Sequence, residues 1–113
     1  VNSSIILSSF PTPRIPVLGK TKVYEFEDNF SLLRAQRIMR EEGFRGAKMS
    51  EGALWVRRHP NFRGCILLPG QKARFGADFY IGVLDERRYR RGLDLICIRE
   101  DFPPLFRILA VRE

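Results

Sequence analysis

The chain has one histidine, two isolated cysteines and only four lysines among its 113 residues, and each scarcity narrows what it can do. Cys65 and Cys97 each stand alone in an apolar run, Gly-Cys-Ile-Leu-Leu and Leu-Ile-Cys-Ile, where cysteine behaves as a small hydrophobe. With no CxxC pair and no HExxH helix, the spacing of a structural or catalytic zinc site is missing, and no metal or other cofactor is expected. A phosphate-binding GxxxxGK[ST] loop and a GxSxG nucleophile elbow are missing too, so no catalytic residue is assigned. The apolar runs, Ile5 to Leu7, Cys65 to Leu68, Ile81 to Leu84 and Leu105 to Val111, fall far short of the ~20 residues a membrane helix needs. The first residues lack the pattern of a secretory signal, so no membrane partner and a cytoplasmic location are expected.

What the chain has in abundance is arginine. Sixteen of its 20 basic residues are Arg, and against 13 acids they leave a net charge of +7. The guanidinium presents a flat fork of donors that fits phosphate or carboxylate oxygens and stacks on bases, so an Arg-weighted excess points to a polyanionic partner. Nine Phe and one Trp supply enough apolar surface to offset chain entropy in one domain of this length.

Composition divides the chain into an extended arm over residues 1 to 19, rich in Ser and Pro, and a globular α+β domain over residues 20 to 113. Ile5 to Leu7 can add a short edge strand within the arm, and alternation predicts a strand over Lys20 to Glu27. One main helix follows, capped by Asp28, Asn29 or Ser31, with Leu32, Ala35 and Met39 on one face and Gly43 as its left-handed stop. Arg34 and Arg37, with Arg40 toward one flank, lie on its solvent side near Glu41 and Glu42.

After a polar turn at Ser50 to Gly52, Ala53 to Arg57 reads as a strand, and Gly64 to Leu68 as its hairpin partner closed by Pro69-Gly70. Phe75 to Leu84, Leu93 to Arg99 and Leu105 to Val111 complete the strands, with Asp85 to Arg91 as a helical turn or a charged loop. The expected architecture is one helix on a twisted, mostly antiparallel sheet of about five strands, or a partly closed small barrel.

Two basic sets carry the functional expectation. Arg87, Arg88, Tyr89, Arg90 and Arg91 place four cations around one ring, which suits phosphates with a stacked base. Arg57, Arg58 and Arg63 lie beside Trp55, with His59 and Asn61 among them. His59, next to Pro60, reads as a turn residue rather than a general base. The resulting expectation is a nucleic-acid-binding module for RNA or single-stranded DNA, with Trp55 and Tyr89 as stacking rings. Two rivals are an assembly subunit whose Arg-rich face meets an acidic protein or its own copy, and a small nuclease or hydrolase built on His59 or on Asp78, Asp85, Asp94 and Asp101.

The segment Lys72 to Ile81, with its basic start and alternating aromatics, resembles the RNA-recognition-motif signature K/R-G-F/Y-G/A-F-V-x-F/Y, which implies sheet aromatics stacked on bases. Its Phe-Gly-Ala-Asp-Phe core also resembles a short stretch of the tRNA-splicing endonuclease fold, although no His or Lys follows Lys72. Both likenesses cover too few residues to assign a family.

Overall fold

In the computed structural model, residues 18–86 and 92–113 are described. Strand β1 (Thr21–Tyr24) leads to helix α1 (Leu32–Glu41), then to strand β2 (Phe44–Gly46) and helix α2 (Met49–Arg58). Strands β3 (Gly64–Phe75), β4 (Asp78–Glu86), β5 (Leu93–Cys97) and β6 (Phe106–Arg112) follow. The six strands make one mixed sheet in the order β1-β6-β3-β4-β5, with β2 also paired to β6. The sheet is open, so the barrel alternative is set aside.

α1 forms as its sequence dictates. Ser31 is the cap that the structure selects, its hydroxyl accepting the Arg34 N–H at 3.1 Å, while Leu32, Ala35 and Met39 are buried and Gly43 ends the helix at φ +81°. Burying Leu32 and Met39 contributes about 1.5–3 kcal/mol each.

The strand expected over Ala53 to Arg57 is instead the second half of α2. The supposed turn at Ser50 to Gly52 is its first turn, where the Glu51 carboxylate accepts the Lys48 N–H at 2.9 Å. The buried positions Met49, Gly52 and Ala53, with half-buried Val56, recur at helical spacing, and this long-range burial outweighs the β-preference of Trp55 and Val56. Among the described residues there are therefore two helices, and they cover opposite faces of the sheet. α1 joins a cluster with Leu67, Ile81, Val83 and Ile108, while α2 joins one with Ile66, Leu68, Leu84 and Leu109. Strands buried on both faces read as continuous apolar runs, which is why Cys65 to Leu68 shows no alternation.

β6 is the centre of the assembly. It pairs antiparallel with β1 along one edge; along the other it pairs parallel with β3 at Cys65–Phe106 to Leu67–Ile108 and antiparallel with β2 at Phe44–Arg112 to Gly46–Ala110. β3 can share that edge with β2 because it bulges between Leu68 and Ala73. At the bulge the Gly70 N–H donates to the Ala47 carbonyl at 2.8 Å, and a Cβ on Gly70 would lie 2.5 Å from the Gly46 carbonyl oxygen. Pro69-Gly70 therefore bends β3 rather than closing a hairpin.

β3 continues to Phe75 and turns through Gly76 and Ala77 into β4, so the single strand expected from Phe75 to Leu84 is split by a hairpin turn. Gly76 has φ +64° and Ala77 does not have positive φ, the requirement of a type II′ turn. Cys65 and Cys97 lie on β3 and β5 with β4 between them and are not joined by a disulfide. Of the Ser/Pro-rich arm, only Leu18 and Gly19 fall within the described residues, and Leu18 packs on the α2-side core. The expected strand at Ile5 to Leu7 lies outside them. Among the described residues no helix is long and apolar enough to cross a membrane.

An ion pair closes the corner where β2 enters α2. Arg45 forks onto Glu51 through bonds of 2.8 and 2.7 Å and also donates to the Gly46 carbonyl. Burial pushes the Glu51 carboxyl up, but the Arg45 hydrogen bonds and the Lys48 N–H outweigh it and hold the group below its ordinary value.

Candidate nucleic-acid interface

The ladder between β3 and β4 determines which basic segments meet. Its last rung pairs Gly64 with Glu86, and Asp85 exchanges both backbone hydrogen bonds with Gly92 at 2.9 and 3.1 Å. The chain therefore leaves β4 and returns toward β5 at the end of the sheet where Arg63 precedes β3. Arg87, Arg88, Tyr89, Arg90 and Arg91 lie between these two anchors in sequence and outside the described residues.

The last turn of α2 brings Arg57 and Arg58 to the same end, both exposed. Cations at a helix C-terminus lie where the backbone dipole favours them. Arg63 is exposed and donates to the carbonyls of Phe62 at 2.7 Å and Pro60 at 3.3 Å, which fixes its side chain over the turn. Among the described residues, none of these three arginines takes part in an ion pair. Arg107 stands near the same end, 5.8 Å from the Phe62 ring, and is paired with Glu25 at 3.0 Å. Arg57 and Arg63 are joined by a helix end and a short turn, not by the hairpin that the sequence suggested.

Trp55 does not belong to this surface. It is 4% exposed, the His59 ring stacks on it at 4.1 Å and Phe62 meets it edge-on at 5.2 Å. With its faces taken, the ring contributes to the core rather than to base stacking. His59 is tied as well, its Nδ1 lying 2.8 Å from the Trp55 carbonyl oxygen, so the ring covers Trp55 instead of standing in a cleft.

Of the four acids weighed for a hydrolytic site, Asp85 and Asp94 share one recess of about 420 Å³ with Cys65 and Arg99, on the α1 side of the sheet. Asp85 is buried, with the Cys65 Sγ 3.7 Å from its carboxylate. Asp78 is at the far hairpin tip and Asp101 is exposed in the loop before β6, so the four do not converge. Among the described residues no three His, Cys, Asp or Glu side chains group as metal ligands.

Three side chains of the segment that resembles the RNA-recognition-motif signature, left out of the two basic sets, are exposed on the β3–β4 hairpin. Phe75 and Phe79 are 58% and 47% exposed, and the Arg74 guanidinium lies 5.7 Å from the Phe79 ring centre. The sequence signal for them was the basic start and aromatics of Lys72 to Ile81. Both faces of the sheet are covered by helices, so these rings stand on a hairpin tip rather than on an open sheet face of the RNA-recognition kind. No protein-family model, curated protein or solved structure matches the chain.

Proposed function

We propose that this domain binds single-stranded nucleic acid, RNA or DNA, through an arginine rim at the Gly64–Glu86 end of its sheet. The observation that carries the reading is the β3–β4 register, which brings Arg57, Arg58 and Arg63 to the end where the Arg87–Arg91 segment leaves and rejoins the described chain. Arg57, Arg58 and Arg63 stand at that end, and in sequence Arg87, Arg88, Arg90 and Arg91 follow Glu86 directly, a basic excess over Asp85, Glu86 and Asp94. Each guanidinium can neutralise and grip a phosphate, and Tyr89 is the ring best placed in sequence to stack on a base. A helix pair for reading a duplex groove is not supported, because α1 and α2 pack on opposite faces of the sheet.

The test is fluorescence anisotropy with end-labelled single-stranded RNA, single-stranded DNA and duplex of about 16 nucleotides, a length within the range of known single-strand sites. Binding to the single strands at low salt is expected, with log affinity falling against log salt by about 0.7 for each phosphate neutralised. No binding of either single strand at low salt overturns the reading.

A further inference from the structure

The far end of the sheet carries a second surface with a different chemistry. Beyond the last β4–β5 pair, Tyr80 with Cys97, the β3–β4 hairpin runs on as a two-stranded tip. Phe75 pairs with Asp78, Arg74 with Phe79 and Ala73 with Tyr80, so successive side chains leave opposite faces of that tip. Phe75 stands on one face with its ring edge-on to Tyr80 at 5.6 Å. Phe79 stands on the other beneath Arg74, whose Nε is held by the Gly76 carbonyl at 3.1 Å.

The Ile98 N–H donates to the Phe79 carbonyl at 2.8 Å, so the backbone of Phe79 neighbours Ile98, a wall of a recess between the hairpin and the start of α1. The recess measures about 260 Å³ and is lined by apolar Leu33 and Ile98, by Ser31 and Gln36 as hydrogen-bonding groups, and by the charged Lys72, Arg99 and Glu100, two cations against one acid. Leu33 is 70% exposed there. Among the described residues, Lys72, Arg74 and Arg99 form no ion pair. A space smaller than the ~300–1,000 Å³ of drug-sized sites suits one planar group better than a whole cofactor.

We propose that this groove takes one unstacked base of a single-stranded nucleic acid, with a neighbouring base stacked on Phe79 and the linking phosphates held by Lys72, Arg74 and Arg99. The proposal rests on the nucleic-acid reading of the arginine rim but uses other residues, at the opposite end of a domain 32 Å long. A lipid surface is disfavoured because Phe75 and Phe79 leave opposite faces with Asp78 between them, so the two rings do not enter one plane. A guanidinium over an aromatic ring, with two further cations at the neighbouring recess, instead matches the alternation of charge and π-face along a nucleic-acid strand.

The experiment compares a labelled single-stranded oligonucleotide with the same sugar-phosphate chain lacking its bases, against the wild-type chain, Phe79→Leu, Phe79→Tyr and the Arg57/Arg58/Arg63→Ala triple variant. Thermal unfolding verifies that each variant is folded. Phe79→Leu is expected to weaken binding of the base-bearing strand roughly 5- to 100-fold and leave the abasic chain unchanged, while Phe79→Tyr keeps both affinities. The rim variant should weaken both probes by a similar factor. If the wild type binds neither probe, the rim reading and this site fail together. If it binds and Phe79→Leu changes neither probe, or both equally, the base site alone is overturned. Loss of binding to anionic lipid vesicles in Phe79→Leu with unchanged oligonucleotide affinity also overturns it, in favour of a membrane contact.

Discussion

Gly64 lies opposite Glu86 on the closing rung of the β3–β4 ladder, so Arg63, the residue before Gly64, stands at the end of the sheet where β4 finishes. Replacing Arg57, Arg58 and Arg63 together by Ala should lower the slope of log affinity against log salt by about 2, from ~0.7 per lost phosphate contact. The fold should survive. Arg57 and Arg58 are exposed, and the hydrogen bonds of Arg63 to the turn are worth about 1 kcal/mol. Anisotropy titrations over a range of salt concentrations check the slope, and an unchanged slope would place the ligand elsewhere.

Trp55 should behave as a core residue and not as a ligand contact. Trp55→Ala is expected to cost about 4 kcal/mol in chemical denaturation, the usual range for an aromatic truncated in a core. Trp55→Phe should fold and bind oligonucleotides as the wild type does. A tenfold affinity loss in folded Trp55→Phe would show that the indole touches the ligand.

α1 was legible in the sequence because its cap, Ser31, and its apolar stripe, Leu32, Ala35 and Met39, agree with its packing. α2 was not. Trp55 and Val56 favour strands locally, and only the sheet face carrying Leu68, Leu84 and Leu109 makes the helical spacing of Met49, Ala53 and Val56 decisive. Arg57, Arg58 and Arg63 were legible as composition, but their place at the end of the sheet where β4 finishes depends on the Gly64–Glu86 register, a contact across 22 positions that no local pattern encodes. The same limit explains Trp55, whose exposure is decided by His59 and Phe62 rather than by its neighbours Arg57 and Arg58.

The Arg45–Glu51 fork should make stability sensitive to acid. The folded carboxyl titrates below its ordinary value of about 4.3, so its stabilising contribution is complete above that pH and is lost as pH falls through the lower, folded value. Glu51→Gln should cost about 2 kcal/mol at pH 7, since it leaves a partly buried guanidinium without its counter-charge, and the difference from wild type should shrink toward pH 3. Urea unfolding at the two pH values measures this. A constant difference would mean that the charge of Glu51 is not what stabilises the corner.

Gly70 should tolerate no side chain. A methyl there meets the backbone of Gly46 and Ala47 rather than a flexible side chain, so Gly70→Ala is expected to cost about 3 kcal/mol and to expose the Ala47 carbonyl that its N–H now satisfies. Thermal unfolding and amide exchange at Gly70 test both parts, and a variant as stable as wild type would show that the bulge can shift.

β6 is the last element in chain order, yet β1, β2 and β3 all hydrogen-bond to it. During synthesis the earlier strands therefore wait with unsatisfied edges until residues 106 to 112 emerge, and among the described strands the β3–β4–β5 meander is the part that can assemble before then. Nascent chains arrested short of Phe106 would be expected to need protection from one another, since strands without their keystone are open to pairing with a neighbouring copy.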